Sequence, residues 1–261
     1  MERLPRNTKR TYSAMTASKQ GSSFALVSLA LSMLGLGLLP LLFLNPPPSL
    51  MVPGQKLLVG IAFASICILG IIAGVTPTHC SRASYKKKKT EPNQHKFDSI
   101  TTNAHHLCKR GHHPTCDQYT GHVLRIQTRI VCAGCTGLVT GAIIALIGTI
   151  LFFFGNFYFP LVIGIFWLGW VFVAVGLLQH YIYQVFHVQQ GEVRFLVNVL
   201  FVLGAFLLLA TQMQITNNLV LGSYLLPLIL YWIFTRIVMS RRSHQRICAQ
   251  CRTPTCPLSE V

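Results

Sequence analysis

The sequence predicts an all-α integral membrane protein of six transmembrane helices, with a small Cys/His-rich metal-knuckle module on the cytosolic face. Three observations predict it. Six apolar stretches, at 24–44, 57–75, 137–155, 161–180, 195–213 and 219–238, stand out. Each is about the 20 residues that a helix needs to cross a hydrocarbon core of about 30 Å. None is read as holding an interior Asp, Glu, Lys or Arg; Arg236 is counted with the tail that follows the last stretch. The second observation is charge. If the N-terminus faces the cytosol, the N-tail, segment 76–136, segment 181–194 and the C-tail hold five, ten, one and five Lys/Arg, and the outer turns hold only Lys56. That asymmetry is a positive-inside signal. The third is that eight of the nine cysteines and all ten histidines fall on the same side.

Composition removes other classes. A chain that is 52% hydrophobic and 11% charged has a membrane protein's balance, neither soluble nor disordered. The net charge of +16 lies beside apolar spans, so orientation and anionic lipid account for it and no nucleic-acid partner is expected. The expected environment is the lipid bilayer of the cell membrane, with both termini cytosolic. The first span is read as retained, because Asn45-Pro46-Pro47-Pro48 follows it and no small-x-small cleavage site does.

Residues 1–23 form a basic cytosolic tail, read as mobile. Residues 24–75 are a transmembrane hairpin, turned where Pro46, Pro47, Pro48 and Pro53 forbid helix. Segment 76–104 is a basic linker containing Lys86, Lys87, Lys88 and Lys89. That run reads first as a solvated, topology-setting stretch and second as a contact for anionic lipid headgroups. In 105–136 His and Cys recur every few residues, and 122–131 alternates apolar with polar residues, a short strand or hairpin pattern. Residues 137–238 form a four-helix transmembrane core. Gly137 and Gly141 make a G-x-x-x-G pair that allows a neighbouring helix close approach. Cys67, inside the second span, is read as an apolar packing residue. His180 and His187, with Gln189, Gln190 and Glu192, form a polar rim at the inner mouth of span four. Residues 239–261 are a second Cys/His-rich tail.

Cysteines in the cytosol stay reduced, so paired ones point to metal or catalysis. Cys132-Ala133-Gly134-Cys135 is a C-x-x-C pair, whose spacing lets a tight knuckle aim both sulfurs at one ion. Cys116, with His112 and His113 just before it, completes a Cys₃His set; Cys108 and His122 compete for the fourth place. The C-tail offers a second such set in His244, Cys248, Cys251 and Cys256. The two regions share the forms C-A-x-C and P-T-C. Either each closes its own site, or the tail crosses to the loop and they share a metal, with 244–256 folded back. Mixed Cys and His favour zinc; cysteine count alone also allows an iron–sulfur centre. For Cys80 or Cys108 alone a free thiol is the simpler reading.

The stretch from His112-His113-Pro114-Thr115-Cys116 through His122-Val123 to Cys132-Ala133-Gly134-Cys135-Thr136-Gly137 and Gly141 resembles a domain-of-unknown-function family. That family comprises small prokaryotic polytopic membrane proteins with a C-A-R-C-T-G knuckle at the head of a transmembrane helix. Gly134 stands in the arginine's place, a form associated with archaeal relatives. Gln179, the run Arg194-Phe195-Leu196-Val197-Asn198 and Gly204 loosely resemble the family's later Q, N and G positions. The resemblance covers about 105–210 and implies membership without a reaction. The leading functional reading is a non-enzymatic scaffold, sensor or assembly module with a structural zinc site. The alternatives are a permease for a small or lipid-like substrate and a thiol oxidoreductase using Cys132 and Cys135.

Labelling from outside intact cells with a membrane-impermeant maleimide is expected to miss Cys116 and Cys256; modification of either overturns the orientation.

Overall fold

The computed structural model describes residues 6–45, 54–75, 121–126, 129–155, 157–185, 190–216 and 218–250. In chain order the elements are α1 (Arg6–Leu44), α2 (Gln55–Val75), β1 (Val123–Ile126), β2 (Arg129–Cys132), α3 (Ala133–Thr149), a π turn (Ile150–Phe154), α4 (Val162–Val185), α5 (Gly191–Thr216) and α6 (Leu219–Gln250). Among the described residues, six helices are long and apolar enough to cross a membrane. Their lipid-facing surfaces carry large exposed apolar side chains, among them Leu34, Leu69, Ile147, Ile163 and Leu230. A helix satisfies its own backbone hydrogen bonds, which permits such faces in hydrocarbon. The chain is thus a multi-pass membrane protein, and the hairpin is the sheet that the alternation of 122–131 anticipates.

Three expectations need correction. α1 begins at Arg6, so residues 6–23 continue the first helix instead of forming a separate tail. No proline lies between Pro5 and Pro40 to break it. Residues 244–250 likewise continue α6 and do not fold back; 251–256 lie outside the described residues. Third, the last apolar stretch does hold an interior charge: Arg236 lies within the span Leu219–Ser243 and is buried.

α5 is the central helix, with a buried face running from Val197 and Asn198 to Gln212 and Met213. Glycines on α3 and α4 bring their backbones against it. Gly137 packs on the Phe195 carbonyl and on Asn198, and a Cβ at Gly141 would lie 3.0 Å from the Val199 carbonyl oxygen. The G-x-x-x-G pair therefore serves an intramolecular contact. On α4, Gly169 faces Gly204 of α5, where a Cβ on Gly204 would stand 2.8 Å from both the Gly169 carbonyl oxygen and Phe172 Cβ. Small residues at such crossings replace the hydrophobic drive that lipid does not supply.

α1 is tied to the bundle by polar side chains. Ser32 Oγ and Thr235 Oγ1 are 2.8 Å apart, and Trp232 Nε1 donates to the Ser32 carbonyl at 3.2 Å. Pro40 lacks an N–H, so the Leu36 carbonyl loses its helical partner. Trp170 Nε1 of α4 donates to that carbonyl at 3.0 Å. At the far end of the bundle, the π turn is closed by Gly155 N–H donating to the Ile150 carbonyl at 3.1 Å. Phe152 and Phe153 are both buried there, and the Lys56 ammonium lies 4.4 Å from the Phe152 ring centre. Gln214 clamps Phe159, accepting from its N–H at 2.9 Å and donating to its carbonyl at 3.0 Å. Cys67 is buried in the core, as a packing residue should be.

Gly204→Val should lower stability by about 1–3 kcal/mol, the usual cost of forcing atoms into a packed interior. Gly37→Val, where a Cβ would meet nothing within 4 Å, is the matched control. Thermal unfolding in detergent, followed by loss of the monodisperse peak, should separate the two variants.

Candidate functional site at the hairpin end of the bundle

The hairpin delivers the cysteine knuckle to the head of α3. Val123 of β1 pairs with Cys132, the last residue of β2, and α3 starts at the next residue. The β-branched run Ile130-Val131 suits a strand, and Ala133 onward suits a helix. Cys132 is the N-cap, with φ −70° and ψ 119°, and Cys135 is the third helical residue. Both cysteines therefore lie in the first turn of the helix, among its unpaired backbone N–H groups. Thr136 Oγ1 donates to the Cys132 carbonyl at 2.8 Å and secures the first turn. Both cysteines are half-buried and neither is in a disulfide.

The other predicted ligands are not brought into view. His112, His113, Cys116, Cys251 and Cys256 lie outside the described residues, as do Lys86 to Lys89. His244 and Cys248 lie on the last turns of α6. Among the described residues no three His, Cys, Asp or Glu side chains gather as a metal site. The two C-A-x-C words also differ in setting: one opens a helix and the other begins where a helix closes. A helix N-terminus favours thiolate and a C-terminus disfavours it, so Cys132 and Cys135 form the better anionic pair.

Beside the knuckle lies a cluster that charge counting did not isolate. Arg236 of α6 points into the bundle and is 9% exposed. By the rise of about 1.5 Å per residue it sits about 10 Å from the end of its span at Ser243. Its Nη1 donates to the Gly176 carbonyl of α4 at 2.8 Å, and its Nη2 donates to Asn198 Oδ1 of α5 at 2.6 Å. Its guanidinium also lies 4.5 Å from the centre of the Phe201 ring. The Asn198 amide donates in turn to the Arg194 carbonyl. A G-x-x-Q-x-x-x-Y spacing puts Gly176, Gln179 and Tyr183 along one side of α4, and Arg194, Asn198 and Phe201 recur with helical period on α5.

Arg194 completes the cluster. Its guanidinium lies 4.6 Å from the Tyr183 ring centre, and its Nη1 is 3.4 Å from His122 Nδ1, just before β1. Arginine can only donate, so in a hydrogen bond here His122 Nδ1 is the acceptor. Cys132 is within electrostatic range of the same guanidinium. Gly191, at the start of α5, packs on the Val123 carbonyl, which seats the hairpin on that end of the bundle. Among the described residues no carboxylate pairs with Arg194 or Arg236. Glu192 is exposed, and residues two apart on a helix do not face each other.

Sequence reasoning missed Arg236 because the positive-inside count absorbed it with Arg241 and Arg242. The available signal was one cation within an apolar stretch, which by default marks function. Arg194 and Asn198, which fall in the run that carries the family resemblance, are joined here through the Arg194 carbonyl. His180 is half-buried near the cluster's rim; His187 and Gln189 lie outside the described residues.

No family model matches the sequence, and neither curated proteins nor solved structures yield a match.

Asn198→Ala should cost about 1.5–3 kcal/mol, since it removes one hydrogen-bond partner from a buried charge. Arg236→Met with Asn198→Leu together should cost less than Asn198→Ala alone, because no unpaired polar group is left behind. A double-mutant cycle on unfolding midpoints checks the sign.

Proposed function

We propose that the chain is a cell-membrane protein, with its termini and hairpin in the cytosol, whose cytosolic face is organised by zinc at Cys132 and Cys135. In this reading it is a non-enzymatic scaffold, sensor or assembly module. One observation carries the proposal: Cys132 and Cys135 are the N-cap and third residue of a helix whose first turns pack directly on α5. That rigid pair fits half of a tetrahedral site. Cys116 with His112 or His113, preceding the hairpin, would close it as Cys₃His. A second site is assigned to His244, Cys248, Cys251 and Cys256, and Lys86 to Lys89 to anionic headgroups. A metal tied to the hairpin would fix the hairpin on the bundle and supply folding free energy to a segment with little core of its own.

Two other readings each have an observation in their favour. The buried Arg236 supplies the intramembrane polar group that a permease for a small or lipid-like substrate would need. The position of Cys132 and Cys135 at the head of α3 favours thiolate, as a membrane thiol oxidoreductase would require.

Elemental analysis of the purified full chain should find one or two zinc ions per molecule. Cys132→Ser with Cys135→Ser should remove at least one, and Cys67→Ser should remove none. Iron with visible absorbance would replace zinc by an iron–sulfur centre. Metal-free protein with a reversible Cys132–Cys135 disulfide would replace the scaffold reading by the redox one.

A further inference from the structure

Three buried polar atoms at the hairpin end have no partner among the described residues: Tyr183 Oη, Gln179 Oε1 and Arg194 Nε. Tyr183 is 7% exposed as a residue, so its hydroxyl is held out of bulk solvent. A buried donor or acceptor left unpaired costs about 1–3 kcal/mol, and a charged one more, so three at one place call for an explanation. They belong to a single locality. Gln179 and Tyr183 are one turn apart on α4, and the Arg194 guanidinium lies 4.6 Å from the Tyr183 ring centre. Nη1 of that guanidinium is already directed to His122, which leaves the Nε edge uncommitted.

The charge of the locality has one sign. Arg194 and Arg236 put two cations here, joined through Asn198, and no carboxylate among the described residues pairs with either. Elsewhere among the described residues only Gln212 Oε1 is left unpaired in this way; Ser32 pairs with Thr235, and Gln214 with Phe159. Here two donors, one of them on a cation, and one amide oxygen are left unpaired together, and no anion is among the described residues that face them. Arginine's fork and a phenol match the oxygens of phosphate, and a helix start at Gly191 adds the favourable end of the α5 dipole. The Gln179 carbonyl oxygen can accept from a hydroxyl on the same ligand, as a protonated phosphate or a polyol ester offers.

We propose that Arg194 Nε and the Tyr183 hydroxyl, with Gln179 beside them, form a binding site for a phosphate group at the hairpin end of α4 and α5. Arg236 is a positioning residue: it adds positive potential and fixes Asn198, which holds the Arg194 backbone. The phosphate has two possible sources, an anionic lipid headgroup in the adjacent leaflet or a soluble phosphate from the aqueous side. The site is independent of the cysteine metal reading, and its test does not require metal.

The test uses the full chain purified in a neutral detergent. Native mass spectrometry measures binding of phosphatidylglycerol against phosphatidylcholine, and thermal unfolding is followed across a titration of inorganic phosphate. In one of the two arms the wild-type chain should bind saturably. Tyr183→Phe, which removes one hydroxyl and keeps the ring under Arg194, should weaken that binding about tenfold, the loss expected for one hydrogen bond to a charged group. Arg194→Gln should abolish it. Selective retention of phosphatidylglycerol assigns the site to lipid, and stabilisation by inorganic phosphate alone assigns it to a soluble ligand. Wild-type chain that binds neither probe overturns the proposal. So does binding that Tyr183→Phe leaves unchanged while that variant stays folded.

Discussion

A guanidinium held inside a membrane bundle is the constraint on which the hairpin end of this protein depends. Arg236 cannot be left without partners in hydrocarbon, where a lone cation costs at least about 2.5–3.5 kcal/mol even on the mildest scale. Its two donor contacts require the Gly176 carbonyl on α4 and the Asn198 amide on α5 to stand in one place. That requirement fixes three helices at one level. It also explains a small residue at 176: a Cβ there would run into the Phe201 ring, the same ring that faces the guanidinium.

The rest of the site follows from that fixed level. Asn198 spends its other end on the Arg194 carbonyl, one turn earlier. Gly137 of α3 packs on Phe195 and Asn198, so the helix headed by the cysteine knuckle is set against the same turn of α5. The hairpin then lies across the top, with Val123 against Gly191 and His122 against Arg194. Cysteine pair, arginine pair and hairpin are therefore parts of one packed unit. A displacement of the hairpin has a short physical route to Arg194 through His122 and Gly191.

Much of the architecture was legible because membrane physics writes it in composition. Hydrophobic length sets the spans, and the helices α2 to α6 fall where apolar runs fall. The hairpin was legible from the alternation of 122–131. The Gly137 and Gly141 crossing was legible as a close approach, but its partner was not, since small residues say that a helix comes near without saying which one. The first helix was misjudged at its start because polar, basic residues such as Lys9, Arg10 and Lys19 look like a solvated tail, yet they carry ordinary helix propensity and no breaker. Arg236 was misjudged for a related reason. Counting Lys and Arg by segment treats charge as a topological label, and the label hides a side chain that turns inward. The echo of C-A-x-C between 132 and 248 does not extend to secondary structure: the first follows a strand and opens a helix, and Cys248 lies near the end of one.

The position of the Arg236 side chain in a lipid environment is tested most directly by an electron cryomicroscopy map of the full chain in lipid nanodiscs, at a resolution that shows side chains. Guanidinium density is expected between the Gly176 carbonyl and Asn198, above the Phe201 ring. Density for Arg236 extended along the outside of α6 toward the headgroups, with Asn198 turned to another partner, would contradict it.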